Sequence, residues 1–128
     1  MAIRAARAAD EKKAEDVLIL DLRDLTIVTD YFVICSGTSS NQLRAILEGV
    51  QKSLAEAGVY PLRQEGDHTT RWALLDYGGV VVHVFHHVER DFYELERLWA
   101  RAPRVEWRQD GVAQEAASAQ PRADERFG

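Results

Sequence analysis

Residues 31–54 read YFVICSGTSSNQLRAILEGVQKSL and predict a strand, a tight turn and a helix in direct succession. The first five are aromatic, β-branched or small apolar residues, which are typical of a buried strand. Ser39 followed by Gln42 matches a capping box, in which each residue satisfies a backbone N–H at the start of a helix. The apolar residues that follow recur at three- and four-residue steps, which indicates a helix with one buried face: Leu43, Ile46, Leu47, Val50 and Leu54.

Upstream of this unit, the sequence predicts a surface helix and another strand. Residues 2–14 are rich in alanine and charge and contain neither Gly nor Pro, which favours a helix. Residues 17–20 read VLIL and predict a buried strand. This strand and residues 31–35 are apolar throughout rather than alternating, so we expect a sheet covered on both faces, as in α/β proteins.

Downstream, three strands and a last helix complete the predicted series of secondary-structure elements. Residues 59–64 predict an edge strand because they contain a proline, and residues 71–75 and 80–85 predict a hairpin joined by a glycine turn. A helix is expected from Asp91 to Pro103, burying the apolar residues Phe92, Leu95, Leu98, Trp99 and Ala102. The pattern predicts an α/β domain over residues 1–107 with a flexible tail at 108–128.

Length and charge narrow the classes of function. The 128 residues suit one domain, and 16 basic against 21 acidic residues give a formal net charge of -5. A protein that binds nucleic acid by neutralising phosphates usually carries the opposite sign, so we expect little or no direct nucleic-acid binding. The single cysteine, Cys35, fits a reducing cytoplasm. No apolar run approaches the roughly 20 residues of a membrane span, so no membrane partner is expected.

Candidate chemistry is sparse. The four histidines lack the spacing of a metal site: His68, His83, His86 and His87. A phosphate-handling enzyme remains an alternative, because the turn at residues 36–40 precedes a helix N-terminus and the carboxylates of Asp21 or Asp76 could hold a metal ion. However, the chain contains no Asp-x-Asp pair and no glycine-rich phosphate-binding motif.

The aromatic residue Trp72 is the most informative side chain of the predicted hairpin. Strand alternation places Trp72 and Leu74 on one face, and Ala73 and Leu75 on the other. Tryptophan and tyrosine dominate the energetics of protein interfaces, yet large aromatics are usually well buried. From the residues alone, a position for Trp72 in the core is therefore favoured over a contact with a partner.

Three segments resemble the hallmarks of the ribosomal silencing factor family, also called RsfS or Iojap-like. They occur in the family's order and span about residues 3–107. The first is TDYFVICSGTS at residues 29–39; the second combines Glu65-Gly66, Trp72, LDYG at 75–78 and VVVHVF at 80–85; the third is DFYELERLW at 91–99. The resemblance implies a mixed five-stranded sheet with flanking helices and a topology like that of nucleotidyltransferases, without their catalytic carboxylates.

The resemblance also implies a function without catalysis and without a cofactor. Such a protein binds the large ribosomal subunit through ribosomal protein L-fourteen and blocks joining of the small subunit, which represses translation when nutrients are scarce. The family's partner-binding residues correspond to Trp72, Leu75, Asp76, Tyr77 and Gly78. Gly79 stands where the family commonly has an acidic residue. A homodimer formed through the aromatic hairpin is a further alternative.

Overall fold

The computed structural model describes residues 1–93 and 95–108. Four helices and six strands follow one another along this part of the chain. In chain order they are α1 (Ala2–Glu11), β1 (Glu15–Asp21), β2 (Tyr31–Gly37), α2 (Ser40–Glu56), β3 (Arg63–Glu65), β4 (Trp72–Asp76), β5 (Val80–His86), α3 (His87–Tyr93), α4 (Leu95–Leu98) and β6 (Arg104–Val105).

The strands form one mixed sheet in the order β3-β4-β5-β2-β1-β6. Only β2 and β5 run parallel, and the other neighbours are antiparallel. The predicted α/β class and mixed sheet are confirmed, but five strands was one too few. The sixth strand, β6, is a two-residue edge strand in which Val105 lies opposite Ile19 of β1. So short a strand carries no alternation by which the sequence could reveal it.

One face of the sheet is covered by α1 and α2. The alanines of α1 let this helix approach the sheet closely, and Ala5, Ala6 and Ala9 are fully buried. The apolar face of α2 lies against the same core, and all five of its predicted positions are buried. The capping residue is confirmed as well, because the Ser39 hydroxyl accepts a hydrogen bond from the Gln42 N–H at 3.1 Å.

The other face is covered less evenly. A smaller core contains the buried residues Leu20, Leu22, Ile34, Phe85 and Ala102. Half-buried side chains that include Trp72 and Trp99 pack around it. The prediction that both faces of the sheet are covered is therefore confirmed, with the helical layer of α1 and α2 on one side and the segment from α3 to residue 102 on the other.

Some predicted boundaries were wrong. The edge strand is Arg63–Glu65 rather than 59–64. The last helix begins at His87, directly after β5, and helical structure is described again over α4. Leu98 was predicted to be buried but is 74% exposed. Its neighbours Leu95 and Trp99 pack against the smaller core instead. Of the predicted tail at 108–128, residues 109–128 lie outside the described residues.

Candidate partner-binding surface

The hairpin of β4 and β5 carries all five predicted partner-binding residues, but on two different faces. Leu75 is 0% exposed and Tyr77 is 7% exposed, and both belong to the core beneath α1 and α2. Trp72 and Asp76 lie on the opposite face because side chains alternate along a strand. Gly78 lies in the turn between the strands. The structure thus brings these residues together in one hairpin, with Leu75 and Tyr77 supporting it from within.

Trp72 is half-buried and held by its neighbours on β5. Its indole ring stacks on Phe85, with ring centroids 4.7 Å apart and planes inclined by 28°. The indole Nε1–H donates a hydrogen bond to His83 Nδ1 at 3.2 Å. The residues alone favoured a core position for Trp72, and the family resemblance favoured a partner contact. The structure holds the indole on these neighbours and leaves part of its surface accessible.

The turn between β4 and β5 is fixed by hydrogen bonds to the carboxylate of Asp76. One carboxylate oxygen accepts from the Gly78 backbone N–H at 2.8 Å, and the other accepts from Arg63 Nε at 3.0 Å. These two interactions, the first being the larger, hold the pKa of the Asp76 carboxyl below its ordinary value. Gly78 has a φ of +86°, a conformation that glycine adopts far more readily than other residues.

The same turn is tied to the loop between β1 and β2. The Thr29 hydroxyl donates to the Gly78 carbonyl at 3.0 Å. The backbone N–H groups of Asp30 and Tyr31 both donate to the Gly79 carbonyl at 3.0 Å. A carboxylate oxygen of Asp30 lies 3.5 Å from the position that a Cβ on Gly79 would take, so an acidic residue at position 79 would lie beside another carboxylate.

Three further residues share the face of Trp72; the sequence predicted one of them, Leu74, and missed Phe32 and Val81. The pairing of β4 with β5 places Trp72 opposite Phe85, Leu74 opposite His83, and Asp76 opposite Val81. The pairing of β2 with β5 then places Phe32 beside Val81. Strand alternation places Leu74 on this face, whereas Phe32 and Val81 depend on the strand pairing. We call the half-buried apolar side chains of this face the Trp72 face: Phe32, Trp72, Leu74 and Val81.

The alternative phosphate-handling site is not assembled. Asp21 and Asp76 lie at one end of the sheet, near the start of β2, whereas the turn at residues 36–40 begins at the other end of β2. Six strand residues separate these ends by roughly 20 Å. The Asp21 carboxylate is also occupied by Arg23, whose Nη2 lies 2.7 Å from it. The Ser36 hydroxyl is buried and donates to the Glu15 carbonyl.

The described residues form neither a metal site nor a reactive thiol. Within residues 1–93 and 95–108, no group of three or more histidine, cysteine or acidic side chains could hold a metal ion. Cys35 is fully buried, and this burial raises the pKa of its thiol to about 12. A thiol with so high a pKa is a poor nucleophile. In the same part of the chain, no helix is long and apolar enough to cross a membrane.

Solved structures resemble this fold, including two from Chromobacterium violaceum and Bacillus halodurans. An X-ray structure of a protein from Chromobacterium violaceum superposes with a TM-score of 0.73 at 37% sequence identity, covering 76% of this chain and 81% of that one. A crystal structure of a protein from Bacillus halodurans gives a TM-score of 0.69 at 45% identity, covering 80% of this chain and 92% of the other.

Sequence comparisons point to one family. The family model for the ribosomal silencing factor during starvation, RsfS, matches residues 1–127. The ribosomal silencing factor RsfS of Bacillus subtilis is 48% identical over 99 residues, which cover 77% of this chain and 84% of the relative. The chloroplastic protein Iojap of Zea mays is 34% identical over 105 residues, 82% of this chain and 46% of that protein. The chain therefore belongs to the ribosomal silencing factor family.

Proposed function

We propose that this protein binds the large ribosomal subunit through protein L-fourteen and thereby prevents the small subunit from joining. The contact surface consists of the Trp72 face and the adjoining turn at Asp76 and Gly78. The observation that carries the proposal is the half-buried indole of Trp72, supported by Phe85 and His83 on a sheet face. Translation would fall when nutrients are scarce, as the family resemblance implies.

The ring of Trp72 is preorganised for binding by its contacts with Phe85 and His83. Tryptophan is among the residues that contribute most to binding at protein interfaces. Ordering a mobile side chain costs free energy on binding, so a ring that is already fixed leaves more of the contact energy for affinity. Leu75 and Tyr77, buried under the helices, contribute by holding the hairpin in place rather than by touching the partner.

Charge supports a protein partner over an RNA partner. The formal net charge of -5 repels the phosphates of ribosomal RNA and attracts ribosomal proteins, which are generally basic. Complementary charge raises the rate of association and disfavours wrong partners. The acidic chain is therefore suited to a basic protein exposed on the large subunit.

The mechanism is steric and needs no bond to be made or broken. A specific complex commonly buries about 800 Å² on each partner, an area that a domain of this size can present. A bound copy at the subunit interface occludes the position of the small subunit. The joined and silenced states then compete by mass action, so the excess of the factor over its dissociation constant sets the degree of repression.

The decisive experiment removes the indole. We expect Trp72→Ala to weaken cosedimentation with purified large subunits by roughly thirtyfold or more, the size of an interface hot spot. A second variant, Val81→Lys, places a charge on the Trp72 face with little loss of buried core and should also weaken binding. Ile3→Ala is the matched control, since Ile3 is an exposed apolar residue on α1, on the other side of the sheet.

Two outcomes contradict different parts of the proposal. If both face variants melt cooperatively and still bind like the native protein, the contact surface is wrong. If saturating native protein leaves the joining of purified large and small subunits unchanged, the silencing mechanism is wrong. Light-scattering measurement of subunit joining tests the second point directly.

A further inference from the structure

His83 is the polar group on β5 that contacts Trp72. It lies on the same face of the sheet, directly opposite Leu74, and is only 5% exposed. The Phe32 ring meets the imidazole edge-on, with centroids 4.5 Å apart. His83 is therefore enclosed by aromatic rings, and its Nδ1 accepts the hydrogen bond from the indole at 3.2 Å.

The contact with Trp72 defines the protonation of His83. An indole N–H only donates, so Nδ1 must be the unprotonated nitrogen and the neutral ring carries its hydrogen on Nε2. Burial favours this neutral form, because it lowers the pKa of His83 to about 4. Within the described residues, the Nε2 atom is buried and has no hydrogen-bond partner.

An apolar residue would suit this enclosed position better if packing were its only role. A buried N–H without a partner destabilises a fold, whereas a leucine or phenylalanine of similar volume carries no such group. The histidine supplies one thing that those residues lack, an acceptor aimed at the indole of Trp72. Phe85 stacks against the same indole but offers no acceptor, so of these two neighbours only His83 distinguishes the edge of the ring that carries the N–H.

We infer that His83 is a positioning residue for partner binding, which locks the indole of Trp72 in the orientation that contacts the large subunit. The inference rests on the proposed function and deepens it. Stacking on Phe85 holds the plane of the indole, and the hydrogen bond to His83 selects one of its two orientations within that plane. Without that bond, part of the population must reorient before binding, which lowers the apparent affinity.

The test compares two substitutions that differ in the acceptor. His83→Asn keeps an acceptor, because the Asn carbonyl oxygen can occupy the place of Nδ1, whereas His83→Leu keeps apolar volume and removes it. We expect His83→Leu to weaken binding to purified large subunits about three- to tenfold, as for the loss of one neutral hydrogen bond. His83→Asn should bind within about twofold of the native protein, since rescue requires only the acceptor.

A spectroscopic readout reports the hydrogen bond itself. The chain has three tryptophans and hence three indole N–H resonances in a ¹H–¹⁵N spectrum, of which Trp72→Phe identifies one. That resonance should shift upfield in His83→Leu and stay near its native position in His83→Asn. A purely structural role for His83 predicts no correlation between this shift and affinity.

A third variant removes the same hydrogen bond without changing His83, so its result holds even if His83→Leu fails to fold. Benzothienylalanine at position 72 replaces the indole N–H with sulfur and keeps the shape of the ring. We expect it to lose the same factor in affinity as His83→Leu. In the Trp72→Phe background, His83→Leu should add less than about twofold, because coupled residues are not additive.

The outcomes separate this inference from the proposed function. Native protein that fails to bind large subunits overturns both. Native protein that binds, together with benzothienylalanine or His83→Leu variants that bind equally well, overturns the positioning role alone. An equal loss from His83→Leu in the native and Trp72→Phe backgrounds also overturns it.

Discussion

His83 makes the stability of the fold sensitive to mild acid. Burial lowers the pKa of this imidazole from 6.5 to about 4, so the folded protein resists protonation that the unfolded chain accepts. The contribution of neutral His83 to stability is therefore fully present above pH 6.5, falls as the pH drops towards 4, and changes no further below that value. The shift corresponds to about 3 kcal/mol of unfolding free energy across this window.

The measurement is urea denaturation of the native protein and His83→Asn at a series of pH values. Asparagine does not titrate, so the difference between the two curves isolates His83 from the carboxyl groups. Asp76 and Glu89 also have lowered pKa values, but both variants share their loss of stabilisation at more acidic pH. Parallel curves for the two proteins would show that His83 titrates alike in the folded and unfolded chains.

At the scale of single residues, the sequence predicted positions better than roles. Strand alternation correctly separated Trp72 from Leu75. It could not identify the hydrogen bond between Trp72 and His83, because that contact depends on the register of β4 against β5. The contribution of Val81 and Phe32 to the Trp72 face depends likewise on pairing between strands that are distant in the chain.

The turn between β4 and β5 gives a test at the scale of an element. Gly78 has a φ of +86°, so Gly78→Ala forces a Cβ into the left-handed region and should destabilise the protein by about 1–2 kcal/mol. Gly79 lies outside that region, and the nearest atom to an added Cβ is 3.5 Å away. Gly79→Ala should therefore be neutral or slightly stabilising, because it restricts the unfolded chain.

Urea denaturation of the two glycine variants provides the comparison. Binding to large subunits should follow the same order, since the turn belongs to the proposed contact surface. Equal destabilisation by both substitutions would mean that the backbone conformation of Gly78 is not what fixes the turn.

Elements with strong local signals were predicted well, and those set by distant contacts were not. The helix α2 has a capping residue and a regular apolar stripe, and the structure confirms both. The edge strand β3 is three exposed residues, with no burial pattern to reveal its position. The start of α3 at His87 was missed because β5 passes directly into it, without a glycine, proline or capping residue between them.

At the scale of the whole molecule, the uniformly apolar strands correctly predicted a sheet covered on both faces. The order of the six strands was beyond the sequence, because β2 pairs in parallel with β5 across the whole of α2 and the β3–β4 segment. The chain also returns after α4 to add β6 beside β1, which places Trp107 against the helical layer. No local pattern marks this return, which is held by contacts between residues about 90 positions apart.

Trp107 joins the C-terminal segment to the core and should be a major determinant of the stability of the domain. The ring is 6% exposed and packs in the core beneath α1, and its Nε1–H donates to the Val17 carbonyl at 3.0 Å. Arg7 of α1 in turn donates to the Trp107 carbonyl at 3.0 Å, so one residue joins the helix to the sheet. Trp107→Ala should lower the free energy of unfolding by about 3–5 kcal/mol.

Trp107→Phe separates the ring from its hydrogen bond. It keeps most of the buried area and should lose about 1–3 kcal/mol, because the buried Val17 carbonyl is left without its donor. Arg108→Ala serves as the control, because the exposed Arg108 touches the same ring through a cation–π contact at 4.8 Å, an interaction of about 0.5–1 kcal/mol at such sites. If urea denaturation gives Trp107→Ala no larger loss than Arg108→Ala, residues 104–107 lie outside the cooperative core, and the sheet folds without its sixth strand.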